Sequence, residues 1–253
     1  MAFCTAISTV QPAGLPAEEF RIETQTFIDD QTDPVDEKVT LFTGGIVYQI
    51  HSDPPQVVVF KKSSGTSPGR FVLLDSARRL RAELTTDEIR DFMAQLKASA
   101  ATQSDPVVRF AADPQFEQAY VESADGKEGE LTLDSDVLKY RIVTLKAKDL
   151  SHLKRYREFS DWNAQLTTML NVGSTPPFPR LALNAAVAEQ ESLASEVHLT
   201  IPAQRPHNKQ DVSIHAFYRV HWRLSTEDRQ LIDRADSDLV TFKSVDFTEY
   251  RRR

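Results

Sequence analysis

The sequence predicts an α+β fold, with one curved antiparallel β-sheet (a half-barrel-like meander) packed against several helices. Three observations predict it. The first third of the chain is a run of short alternating segments bounded by turn residues. Two of those segments are apolar on both faces. Strand-like and helix-like stretches come in groups rather than in strict alternation, which disfavours a doubly wound parallel sheet.

The meander comes first. Residues 19–28 (EFRIETQTFI) place Phe20, Ile22 and Ile28 on one face and Arg21, Glu23 and Gln25 on the other, the period of a half-buried strand. A turn through Asp29, Asp30 and Pro34 follows. Residues 38–43 and 46–51 read as strands joined at Gly44-Gly45, where glycine supplies the positive φ of a tight hairpin. Asp53-Pro54-Pro55 breaks the chain. Strands then run over 56–62, 70–75 and 77–84, with a Ser/Gly/Pro loop at 63–69.

Val57-Val58-Val59-Phe60 and Phe71-Val72-Leu73-Leu74 do not alternate. A sheet with one wet face alternates apolar and polar residues, so these strands need cover on both sides. Helices supply one cover. The other must be a second sheet layer, more helix, or a ligand.

Helices follow. Thr85 and Glu88 form a capping box ahead of an apolar stripe at Ile89, Phe92, Met93 and Leu96. A short helix at 106–112 is capped by Asp105. Strands resume at 116–122, 130–133 and 137–146. The longest helix spans 149–170, with Leu153, Tyr156, Phe159, Trp162 and Leu166 at three- and four-residue steps, and ends at Asn171-Val172-Gly173. Pro176-Pro177-Phe178-Pro179 is a rigid connector into a helix at 181–191. The remainder reads as strand 196–201, a polar loop around His207, strand 212–224, a helix at 226–234 capped by Ser225, and a last strand at 239–243.

One domain is expected over 18–253, behind a leader at 1–17. Residues 1–14 (MAFCTAISTVQPAG) are uncharged, small and apolar. Two readings fit: the tail of a secretion signal whose charged start is missing, which places the protein in the periplasm or outside the cell, and a disordered cytoplasmic leader. No apolar run approaches the roughly 18–20 residues of a membrane-spanning helix. Acidic residues outnumber basic ones by 37 to 30, for a net charge of −7, which disfavours a nucleic-acid partner. The one basic cluster, Arg251-Arg252-Arg253, reads as a solvated tail. Cys4 is the single cysteine, so neither an intrachain disulfide nor a cysteine zinc site is expected.

Motifs for chemistry are sparse. Gly65-Thr66-Ser67-Pro68-Gly69 fits the nucleophile-elbow pattern, but a strand rather than a helix follows it. Pro68 also removes the backbone N–H that an oxyanion hole would use. His215 and His221 share a strand face but lie roughly 20 Å apart, too far to share a metal. Asp134 and Asp136 lack the Gly and distal Glu of a calcium loop and read as a polar turn. No phosphate-cradling glycine motif is present, and no cofactor is expected. The stripe Tyr156, Phe159, Trp162 is core packing in the simplest case; alternatively it lines an apolar cavity under the sheet.

The stretch TLFTGGIVYQIHSDPPQVVVFKKSSGTSPGRFVLLDSARRLRAELT resembles, in strand order and patterning, the curved-sheet proteins of the lipoprotein-carrier class (LolA- and LppX-like). The resemblance covers roughly 18–145, and the strands after Pro202 have no counterpart in it. With YREFSDWNAQLTTMLN and FPRLALNAA included, the chain resembles members of a secreted bacterial family of unassigned function.

The likeness implies a non-enzymatic extracytoplasmic protein that holds an apolar ligand, a lipid or a lipoprotein acyl chain, against the concave sheet. Face alternation then nominates Phe42, Tyr48, Val58, Phe60, Val72 and Trp162 as lining residues. The alternatives are a structural or interaction protein with a dry core, and a hydrolase using Ser67.

Overall fold

The alternating segments of the first third pair in chain order, each with the next, as six strands of one open sheet. The computed structural model describes residues 19–171, 173–203 and 210–252. The leader with Cys4, the loop around His207, and Arg253 fall outside the described residues.

The first meander comprises β1 (Phe20–Ile28), β2 (Asp36–Thr43), β3 (Ile46–His51), β4 (Gln56–Lys61), β5 (Arg70–Asp75) and β6 (Leu80–Thr85). Gly44 and Gly45 turn the β2–β3 hairpin at φ of +47° and +88°, values that cost other residues strain. Two helices follow, α1 (Thr86–Ala100) and α2 (Pro106–Ala112). Thr85 and Glu88 close the expected capping box on α1, and Asp105 caps α2 through the amides of Val107 and Val108.

A second meander, β7 (Glu117–Glu122), β8 (Glu128–Asp134) and β9 (Lys139–Lys146), leads into α3 (Leu150–Leu170) and α4 (Phe178–Glu189). Then come β10 (Ser192–Ile201), β11 (Val212–His221), α5 (Thr226–Thr241), β12 (Lys243–Ser244) and α6 (Phe247–Arg251).

Among the described residues, twelve strands join one sheet in the order β12-β6-β5-β4-β3-β2-β1-β11-β10-β9-β8-β7. The late strands β10 and β11 sit in the middle, between β9 and β1, and join the two meanders. The sheet is not closed into a barrel. It is also mixed rather than wholly antiparallel: β12 runs parallel to β6 at its edge.

The strands that do not alternate are covered on both sides, as their sequence requires. On the inner face, Phe42, Val47, Phe60, Phe71 and Leu84 pack against Ile89 and Met93 of α1, Phe159 and Leu166 of α3, and Tyr250 of α6. On the outer face, Leu41, Val57, Val59, Val72 and Leu74 pack against Ala235 of α5 and the adjoining Phe242. The second cover is therefore helix. Towards the other edge, α4 buries Leu183, Ala186 and Val187 against Leu131, Ile142 and Val197. There the outer face carries alternating polar residues such as Glu130, Arg141 and Glu196.

The end of the chain departs from expectation. Residues 239–241 continue α5 instead of forming a strand. Leu231, Ala235 and Leu239 recur every four residues, and that stripe follows the outer face of the sheet. Arg251 belongs to α6 rather than to a loose tail. Arg78 fixes this end of the chain by donating to the carbonyls of Tyr250 at 2.6 Å and Arg252 at 2.7 Å. Strand β6 starts at Leu80, later than its sequence suggests, because Asp75 accepts from the backbone N–H and Nε of Arg78 and holds a turn there.

Candidate ligand-binding cleft

The inner faces of β1, β2 and β3 change character along their length. At one end Phe20 and Phe42 stack at 4.1 Å between centroids, directly paired across the strands. Within two to four residues, the same face turns polar. Thr24, Thr40 and Gln49 occupy inward positions and are buried. Gln49 reaches Thr40 Oγ1 at 3.4 Å and His51 Nε2 at 3.1 Å, and His51 Nδ1 faces Asp36 at 3.3 Å. Lys38 donates to the other Asp36 oxygen at 2.7 Å. The His51 hydrogen bond, then Lys38, holds the Asp36 carboxyl well below the usual carboxylate range and outweighs burial, which acts the other way.

A side chain as short as threonine does not fill the space under α3. A cleft of about 470 Å³ opens there, within the roughly 300–1,000 Å³ usual for small-molecule sites. Its floor is the polar patch of β1–β3. One wall is apolar: Leu138, Leu199, Ile201 and Ile214. Its roof is a single face of α3, comprising Tyr156, Phe159, Ser160, Asn163, Ala164 and Thr167. The connector with Pro176 and Pro177 and the first turn of α4 close one end. Gln49, Asn163 and Thr167 also border a second hollow of about 330 Å³ that reaches Tyr250.

At the α4 end sits Arg180, half-buried, with Tyr140, Tyr156 and Tyr218 lining the same end. Its Nε donates to Asn184 Oδ1 at 3.1 Å and its Nη1 to Tyr218 Oη at 3.1 Å. Asn184 in turn donates to Asp161 Oδ1 at 2.8 Å. Burial raises the pKa of Tyr156 and Asp161, and pushes Tyr140 up to about 12. Tyr140 and Tyr156 therefore stay neutral at physiological pH.

The six residues nominated by alternation do not converge. Phe42, Val58 and Phe60 face inward in one packed core cluster, Val58 at the margin of the hollow of about 330 Å³ and Phe60 at that of a third, beside Trp162. Tyr48 and Val72 face outward, under α5. Trp162 is half-buried on α3, over a separate hollow of about 270 Å³ beside Phe60 and the 63–69 loop. In strands covered on both faces both parities are apolar, so alternation carries no information about which face is which. None of the six lines the main cleft. Two of the stripe residues, Tyr156 and Phe159, do line it. The sequence signal for the floor was Thr24, Thr40 and Gln49, polar residues at inward positions beside Ile22, Phe42 and Val47.

Other candidates gain little from the geometry. Ser67 sits in a tight hairpin with Ser64, its amide donating to the Ser64 carbonyl at 3.0 Å, and β5 follows. No histidine lines the hollow beside it. His215 meets His198 edge-on across the strands, at 4.3 Å between ring centroids, whereas His221 lies beside Glu23. Among the described residues no group of three or more His, Cys, Asp or Glu could hold a metal ion. Asp134 pairs with Lys139 at 2.8 Å. Among the described residues, no helix is long and apolar enough to cross a membrane.

Known protein-family models do not match the chain, and no curated protein is significantly similar to it.

Proposed function

We propose that this protein is a non-enzymatic carrier, periplasmic or secreted, that holds a lipid or a lipoprotein acyl chain in the cleft between α3 and the sheet. The observation that carries this reading is the cleft itself: a cavity of about 470 Å³ with an aliphatic wall on one side and a hydrogen-bonding floor on the other. An acyl chain laid on Leu138, Leu199, Ile201 and Ile214 would gain about 0.8 kcal/mol for each methylene taken out of water. The polar floor suits a ligand with a head group better than a pure hydrocarbon. The carrier-like strand order of the first meander, read as a sheet curving around α3, agrees with such a role.

Organic extraction of the purified native protein, followed by mass spectrometry, tests it. A lipid recovered in stoichiometric amount is the expected result. A protein that is empty, and stays empty after incubation with membrane extracts, would instead favour an interaction protein with a dry core.

A further inference from the structure

We propose that Arg180 is the head-group anchor of the cleft, and that the ligand is a single-chain amphiphile with an anionic head, a carboxylate or a phosphate. The proposal rests on the carrier reading and narrows it.

Charge is the first argument. A guanidinium stays protonated in proteins. Among the described residues, no carboxylate forms an ion pair with Arg180. Its link to Asp161 runs through the Asn184 amide, and Asp161 is matched by Arg157 at 3.7 Å. Lys38, the other cation lining the cleft, is matched by Asp36 at 2.7 Å. Of the two cations among the described residues that line the cleft, Arg180 is thus the one with no carboxylate in direct contact, Asp161 acting on it only from a distance.

Donor geometry is the second. Tyr218 Oη accepts from Arg180 Nη1, which leaves the phenol hydrogen to donate. Arginine presents its N–H groups as a planar fork that suits carboxylate and phosphate oxygens. Fork and phenol meet where Tyr140 and Tyr156 also line the cleft.

The third argument is the local helix end. Helix α4 starts there on Pro177 with no side-chain cap and no acid in its first turn. Its N-terminal partial charge therefore has the same sign as Arg180 and adds to the attraction for an anion. From this end, the aliphatic wall of β10 and β11 gives the chain of such a ligand a path along the sheet.

The test is calorimetric titration of the purified full chain, freed of bound lipid, with decanoate, decyl phosphate and decanol, which share one chain and differ in the head. Wild type is expected to bind one of the anions at least about tenfold more tightly than decanol, since a hydrogen bond to a charged group contributes on that order. The stronger anion identifies the head group. Arg180→Met is expected to lose this preference while keeping its affinity for decanol. Equal affinities for anions and alcohol in wild type would overturn the anchor and leave the carrier reading standing. Binding of none of the three would overturn both. If Arg180→Met does not fold, Tyr218→Phe keeps the ring and removes the donor. A several-fold drop in anion affinity alone is expected for it, and an unchanged anion affinity would overturn the proposal.

Discussion

The Tyr48 hydroxyl donates to Asp236 Oδ1 at 2.8 Å, and this bond ties the outer face of the sheet to α5. Burial, then the Asp236 carboxylate, raises the Tyr48 pKa, so the phenol stays a donor. Tyr48→Phe keeps the ring and loses the bond. We expect it to lower unfolding free energy by about 1 kcal/mol, read from urea denaturation, and to leave ligand binding unaltered. A loss of binding in this variant would place Tyr48 at a site the structure does not give it.

Phe42 separates packing from binding in the same way. It is fully buried, stacked on Phe20 and edge-on to Phe159 at 5.9 Å. Phe42→Ala should cost about 3–5 kcal/mol, the usual price of removing a buried aromatic ring. The measurement is the shift in urea midpoint at unchanged slope. A cost under about 1 kcal/mol would mean that the inner core is looser than its geometry implies.

Asp228 links two elements far apart in sequence. It caps α5 by accepting from the Ser225 amide at 2.7 Å, and it accepts from Arg21 of β1 at 2.9 Å. Its side chain is 1% exposed, so Asp228→Ala removes one of the two carboxylates on the half-buried Arg21 guanidinium, leaving Glu23 at 2.6 Å, and also removes the half of the α5 capping box that accepts from the Ser225 amide. We expect a loss of about 3 kcal/mol. Arg21→Met with Asp228→Asn should recover part of it in a double-mutant cycle, because both charges are then gone.

Acid should expose the Asp36 network. A carboxyl whose pKa is depressed on folding stabilises the fold above its unfolded value, about 3.9. That contribution is lost as pH falls from there through the folded value. His51 and Lys38 depress Asp36 in this way. Wild type should therefore lose stability more steeply than Asp36→Asn between about pH 5 and pH 3. Parallel urea-midpoint curves for the two proteins would contradict the assignment.

Much of the sheet was legible because strands declare themselves through period two and turn chemistry. The 19–28 alternation, the Gly44-Gly45 hairpin and the Thr85–Glu88 capping box all stand where the residues put them. The need for cover on both faces of β4 and β5 was legible too. The identity of the second cover was hidden in α5, whose end (DLVTF) is rich in strand-forming residues and yet keeps Leu231, Ala235 and Leu239 in helical step. Tertiary packing on the sheet overrode local preference there.

The cleft was less legible, because six strands, two helices and two loops contribute to it and no spacing in the sequence brings Arg180 to Tyr218. The available hint was a break in pattern. Thr24, Thr40 and Gln49 are polar where the inward residue two positions away on each strand, Ile22, Phe42 and Val47, is apolar, and adjacent strands carry the break side by side: Thr40 pairs with Gln49. Arg180 falls between the Pro176-Pro177-Phe178-Pro179 connector and the helix expected at 181–191, where no pattern singles it out.

The most direct test of the central claim fills the cleft. Ala164 lies on the roof, on the face of α3 turned to the sheet. Calorimetric titration of decanoate into wild type and Ala164→Phe, at several temperatures, should show one saturable site with a negative heat-capacity change in wild type, the mark of apolar burial. The same titration should show no site in Ala164→Phe, with its melting temperature retained. Equal saturable binding by both proteins, or none by wild type, would contradict the claim that this cleft holds an acyl chain.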